Sequence, residues 1–386
     1  MKNTWPSENK NWQTVTEKKE KERTMKKRML SMVLALAMML TLVACGGDKG
    51  KTESSSGEMS SASESVQAGE SSSEKEPAKE QKTVRVAYMP NMGSASSLFT
   101  AIDQGYFDEV GLKVEVAEFE GGPAEITAMA SGDIDIAQIG HGAHALCIEG
   151  QACIFQMDST NSLADEVVAN KEKGITKAED LKGKTVAVAS GTSSEVILKQ
   201  ILAKANMTED DIKVVEMAVD GMTTALVAGQ IDAAATWSPN TVTLKKSLGD
   251  NYVSLGSNAD FADKATFPAS FITTKEYAEK NKDVLVRFSA AINKAHVYRE
   301  ANIEEVAKSL AKHLDAPEET MVASVGEGDW ATINKICGDM EAVKKVYEIQ
   351  QNVFMDSGRI KEKVDPNSYV LFDVMEEGYK TFNENK

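Results

Sequence analysis

The chain has 386 residues, of which 42% are hydrophobic and 26% charged, with four cysteines and four histidines. Length and apolar share fit two or three folded units. The net charge of −16 excludes a basic face for nucleic acid, and so few cysteines and histidines exclude a disulfide scaffold and argue against a metal centre.

Residues 25–47 read MKKRMLSMVLALAMMLTLVACGG. Lys26, Lys27 and Arg28 precede 16 uncharged residues, 29–44. A membrane span needs about 20 apolar residues, so this layout is that of a secretory signal peptide. Leu42-Val43-Ala44-Cys45-Gly46 resembles a bacterial lipobox, which implies a diacylated Cys45 as the mature N-terminus and a globule anchored to the outer face of the cell membrane. Residues 1–24 are expected to be a non-native extension, with translation starting at Met25. Removing residues 1–45 takes away nine basic and four acidic side chains, leaving 34 against 55 and a net charge of −21. Residues 46–82 are expected to form a disordered tether: from 48 to 82 there are ten serines, seven glutamates, five lysines and no aromatic. Such a stretch cannot bury enough apolar area to offset its ordering entropy.

From Thr83 onward strand-like and helix-like runs alternate. VRVAYM (84–89) reads as a strand, SSLFTAIDQG (96–105) as a helix, VEVAEF (114–119) as a strand, AEITAMASG (124–132) as a helix and IDIAQIG (134–140) as a short buried strand. This alternation predicts βαβ units and a parallel sheet. The pattern then recurs. TAMASGDIDIAQIG (127–140) aligns with TALVAGQIDAAATW (224–237) at an offset of 97, and Ser96-Ser97 stands to Ser193-Ser194 at the same offset. VEVAEFEGG (114–122) resembles VVEMAVDGM (214–222) at an offset of 100. Gly132 and Gly229 fall where a helix takes a left-handed cap before turning into a strand. Three matches in the same order predict two similar α/β lobes. Ligands of parallel sheets bind beyond the carboxyl ends of the strands. Those loops are 88–95, 120–123 and 139–144 in the first lobe, and 189–194, 220–222 and 236–239 in the second; facing lobes would bring them to one cleft.

GYFDEVGL (105–112), ASGDIDIA (130–137) and DLKGKTVAV (180–188) resemble the substrate-binding proteins of ABC importers, in the group that binds nitrate, taurine, alkanesulfonates and thiamine precursors. The similarity covers roughly residues 83–385. It implies an α/β, two-lobe periplasmic-binding-protein clamp of type II, each lobe a mostly parallel sheet flanked by helices. Two crossover strands, 165–170 and 267–274, would form the hinge. Lobe 1 is then 83–164 plus 267–386, and lobe 2 is 165–266. The tail, 275–386, would pack on lobe 1, with Val284, Phe288, Ile292 and Ala295 as core. The implied function is capture of a small organic solute and delivery to a membrane permease and its ATPase, by a monomer, without cofactor, metal or covalent chemistry. A sensory lipoprotein, or a pyrimidine-forming enzyme on the same fold, is the competing reading.

Candidate ligand contacts are Tyr88 and Asn91 on the first loop, and Gly140 and His141 on the third. In the second lobe they are Ser190, Gly191, Thr192 and Ser193 at a helix mouth, Asp220 after its strand, and Trp237. The N–H groups of 190–194 suit an anion or polar acceptor, or the serines simply cap the helix. Trp237-Ser238-Pro239 stands where the family often has an aromatic, an acid and a proline; the acid that could grip an amine is missing. Trp237 either contacts ligand or packs. His141 and His144 are spaced i,i+3 without a third metal ligand, and His144 is expected to face the interior. The cleft loops carry no Arg or Lys, which predicts a monoanion such as a sulfonate or carboxylate, or a neutral heteroaromatic ligand. Cys147 and Cys153 either pair or remain buried thiols.

Overall fold

The computed structural model describes residues 81–384. The signal segment, Cys45 and nearly all of the tether lie outside them. Lys82, expected as the last tether residue, is the first residue of β1.

The first half runs β1 (Lys82–Tyr88), α1 (Met92–Asp103), β2 (Leu112–Glu118), α2 (Gly122–Ala130), β3 (Ile136–Ile139) and β4 (Cys153–Ser159). The second runs β5 (Asp165–Asn170), β6 (Thr185–Val188), α3 (Ser193–Lys204), β7 (Lys213–Glu216), α4 (Val219–Val227), β8 (Ala233–Trp237), α5 (Asn240–Leu248) and β9 (Tyr252–Ser257). After β10 (Ala269–Thr273) come the tail helices, chiefly α6 (Lys282–Ala301), α7 (Ile303–His313), α8 (Met340–Asp356) and α9 (Phe372–Glu384). The strands form two five-stranded sheets, in the order β2-β1-β3-β10-β4 and β7-β6-β8-β5-β9. β1 pairs in parallel with β2 and β3, and β6 with β7 and β8. The odd strand in each sheet is a crossover: β10 is antiparallel to β3 and β4, and β5 to β8 and β9. Each lobe therefore holds one strand delivered from the other side of the molecule. The two connections are tied where they pass, since Asn161 Oδ1 accepts the Phe267 N–H at 2.9 Å and the Ser162 N–H donates to the Phe267 carbonyl at 2.8 Å.

Sequence chemistry explains why the elements begin and end here. Asn91 caps α1 by accepting the Ser94 N–H at 2.8 Å, and Thr192 caps α3 by accepting that of Ser194 at 3.2 Å. Gly132 and Gly229 sit at φ 79° and 69°, in the left-handed region that lets α2 and α4 stop and turn into β3 and β8. The sheet faces bury apolar side chains against helices: Val84, Val86, Phe155 and Phe271 of the first lobe pack with Phe288 and Ile292 of α6. Val284 and Ala295 are buried with them, as the tail's spacing predicts. Each such large side chain contributes about 1.5–3 kcal/mol when fully buried. Among the described residues no helix is long and apolar enough to cross a membrane.

The duplication is real but its offset is not constant. α2 and α4 are 97 residues apart, as are the starts of β3 and β8. The β1–α1 unit is different, because Ser94, not Ser96, corresponds to Ser194. Ser94 Oγ accepts the Met89 N–H and Ser194 Oγ accepts the Ala189 N–H, each closing the turn between strand and helix. The expected Ser96-Ser97 match is thus a sequence coincidence inside α1, which starts at Met92.

Candidate ligand-binding cleft

Between the sheets lies a cleft of about 740 Å³, counting its mouth. Six expected contacts line it: Asn91, Gly140, His141, Thr192, Ser193 and Trp237. The loops after β1, β3 and β6 and the last residue of β8 place them, all at the carboxyl ends of their strands.

Four expected contacts lie elsewhere. The Tyr88 hydroxyl donates to Glu118 at 3.3 Å, and its ring packs edge-on against Phe99; burial beside Glu118 pushes its pKa up to about 12. The Ser190 N–H and hydroxyl both donate to Glu216 on the neighbouring strand. The Gly191 N–H donates to Glu195, and the glycine packs under Pro123. Asp220 does not close a strand: β7 ends at Glu216, and Asp220 is exposed in the first turn of α4. Tyr88, Ser190 and Asp220 serve their own lobe, whereas Gly191 lies against Pro123 of the other lobe.

His141 is almost wholly buried and bridges the lobes. Its Nε2 lies 3.0 Å from Asp165 Oδ2. The Asn258 amide donates to the same oxygen at 2.6 Å, and the Ser193 hydroxyl donates to Oδ1. The Asp165 carboxylate therefore joins the turn after β3 to the mouth of α3. Beside it the backbones almost touch: a Cβ on Gly142 would stand 2.2 Å from the Thr192 carbonyl carbon. Ala145 of the first lobe, Val196 of α3 and Val353 and Phe354 of α8 continue the seam as an apolar cluster. His144 faces the interior with Nδ1 3.1 Å from Gln350, and burial lowers its pKa to about 3. Cys147 and Cys153 are unbridged thiols. Among the described residues no group of three His, Cys, Asp or Glu is placed to hold a metal.

Sequence reasoning missed the wall supplied by the tail. Ser324, Glu327, Gly328 and Trp330 all line the cleft. The loop is strapped onto the hinge segment by two backbone bonds, Leu163 N–H to the Glu327 carbonyl at 2.8 Å and Asp329 N–H to the Asn161 carbonyl at 3.1 Å. Behind Trp330 sits Arg299 of α6, fully buried, its guanidinium 4.8 Å from the ring centroid. Arg299 is paired with the buried Asp158 at 3.3 Å, and His296 approaches the same carboxylate at 2.8 Å. Burial opposes ionisation of Asp158, but Arg299 and His296 outweigh it and hold the carboxyl below its usual range. The apolar spacing of α6 identified core positions but carried no sign of this buried pair or of the loop beyond it.

Two α/β lobes joined by exchanged strands, with a cleft lined from both, define a periplasmic-binding-protein fold. The solved alkanesulfonate-binding protein SsuA from Xanthomonas axonopodis pv. citri has this fold, with a TM-score of 0.62 at 20% identity, over 76% of this chain and 99% of that one. A desulfurization enzyme shares it at a TM-score of 0.57 and 14% identity, over 79% of this chain and all of that one. Residues 94–305 match the NMT1/THI5-like family, and the chain belongs to it. A Brucella abortus (strain 2308) protein named only provisionally as a binding protein is 31% identical over 293 residues, 75% of this chain and 90% of that one. The taurine-binding periplasmic protein of Escherichia coli (strain K12) is 26% identical over 206 residues, 53% of this chain and 63% of that one.

Proposed function

We propose that this chain is the extracytoplasmic solute receptor of an ABC importer, anchored through Cys45. It captures a small organic solute between its lobes, either a sulfonate- or taurine-like monoanion or a pyrimidine-type thiamine precursor, and delivers it as a monomer to a permease driven by an ATPase. The observation that carries this reading is a cleft lined from both lobes and from the hinge itself, so that ligand and lobe separation are coupled. The likeness to a taurine-binding periplasmic protein supports it. Capture without covalent chemistry fits the order Ser193–Asp165–His141, in which the carboxylate is central and no imidazole faces the serine hydroxyl.

The test is a thermal-shift panel of sulfonates, amines and heteroaromatic compounds on the mature protein, since a ligand of the folded state raises its apparent stability. A hit should weaken on Trp237→Ala while the unliganded melt stays put. A flat panel, or turnover of a bound compound, would count against capture. Cys45→Ala should release the protein from membranes; continued retention would sink the lipid anchor.

A further inference from the structure

The cleft's charge points away from a simple sulfonate. Among the described residues its lining contains two carboxylates, Asp165 and Glu327, and no lysine or arginine. The nearest buried cation, Arg299, is spent on Asp158 and screened from the cleft by Trp330. Helix mouths at Met92–Ser94 and Thr192–Ser193 oppose this acidity, but Asn91 and Thr192 already cap them, and the 2.2 Å approach of Gly142 covers the second.

The unsatisfied polar atoms agree with the charge. Among the described cleft-lining residues, two side-chain atoms are buried without a partner, Gln138 Oε1 and Glu327 Oε2, and both are acceptors. The orientation of Gln138, which is fully buried, follows from its bonds. Its Nε2 donates to the Gly93 carbonyl and to Asp158, each at 2.9 Å, so the amide oxygen is the free end. Gln138 Oε1 and Glu327 Oε2 are both unsatisfied acceptors held in the wall of the cleft, where an unmet acceptor is costly and a nearby donor is favoured. Burial pushes the Glu327 carboxyl up to about 7; the Ser238 hydroxyl opposes that shift, Glu166 and Asp165 add to it, and Lys245 opposes it.

We propose that Glu327, in a lining that holds a second acid and no lysine or arginine among the described residues, forms a subsite for a nitrogen that donates N–H bonds, so that the cleft takes an amine or amidine in preference to a ligand whose only charge is a sulfonate. This rests on the reading of the chain as a solute receptor. The two indole side chains, Trp237 and Trp330, suit an apolar or aromatic body attached to that nitrogen.

Benzamidine and benzenesulfonate, which share a ring and differ in charge, serve as probes in calorimetric titrations of the mature protein. Benzamidine should bind at least about tenfold more tightly, and Glu327→Gln should remove most of that preference. A second readout does not depend on the variant. Affinity for benzamidine should rise up to about tenfold between about pH 6 and pH 8 as Glu327 ionises, and this rise should vanish in Glu327→Gln. Tighter binding of benzenesulfonate, or a preference untouched by Glu327→Gln and by pH, overturns the nitrogen subsite and leaves the receptor reading standing. Failure of both probes, together with a flat thermal-shift panel, overturns both.

Discussion

The contact between Gly142 and the 192–193 peptide bond gives the sharpest test of how the lobes meet. An alanine Cβ at 142 would lie 2.2 Å from the Thr192 carbon, 2.3 Å from the Ser193 nitrogen and 2.5 Å from the Thr192 oxygen. Ordinary contact begins near 3.4 Å, and backbone atoms cannot turn aside as a side-chain tip can. Gly142→Ala must therefore open the seam by about 1 Å. Opening stretches the 3.0 Å contact between His141 and Asp165 and the 2.8 Å contact between Ser238 and Ser324 beyond useful range. At about 1 kcal/mol for a neutral bond and about 1.5–3 for one to a charged group, the loss is roughly 2–4 kcal/mol. That lowers the population of the joined lobes by about 30- to 1,000-fold and weakens any ligand that needs them joined. Each lobe keeps its own core, so the melting temperature should change little. Hydrogen exchange of the segment 190–198 should lose protection by a comparable factor, and small-angle scattering should show a larger radius of gyration. Wild-type protection and scattering in Gly142→Ala would refute the reasoning.

Other outcomes follow from buried groups. A Cβ on Gly328 would stand 2.3 Å from Trp330 Cζ2, so Gly328→Ala should push the indole off Arg299 and alter near-ultraviolet circular dichroism; an unchanged spectrum would contradict that packing. Arg299→Met strands Asp158 without its cation and should cost about 3–5 kcal/mol in urea unfolding; a loss below 1 would show the pair to be unimportant. Because Asp158 is held low, its stabilising contribution exists above its unfolded pKa and is lost as pH falls through its folded value, so wild type should be more acid-sensitive than Arg299→Met. Glu125 behaves oppositely. Both its oxygens are buried without partners, and burial raises its pKa well above normal. Folding stability should then fall by up to about 1.4 kcal/mol per pH unit as pH rises from the unfolded carboxyl value, and Glu125→Gln should flatten that slope in pH-dependent unfolding.

Local patterns were sufficient for much of this protein. Alternating strands and helices, capped by Asn91, Thr192, Gly132 and Gly229, are short-range facts, because a cap or a turn is satisfied within a few residues. The internal duplication and the strand-end rule then located the cleft through Asn91, Gly140, His141, Thr192, Ser193 and Trp237. Family resemblance supplied the two-lobe architecture that these loops serve. Tyr88 and Gly191 fall one position, and Ser190 two, outside the lining of the cleft, since a strand end does not say which side of its turn faces inward.

Only the tertiary structure decided the character of the site. Asp165 meets His141 and Ser193 because β5 crosses into the second sheet, and Glu327 and Trp330 reach the cleft because the tail returns to bond with the hinge. These partners are separated by 24 to more than 100 residues. Their meeting depends on which apolar faces pack together, a property of the whole chain that no short window carries. The sequence by itself determined two similar α/β units whose strand-end loops carry no lysine or arginine. The fold determined that two acids separated in sequence, Asp165 and Glu327, share the lining of one cleft.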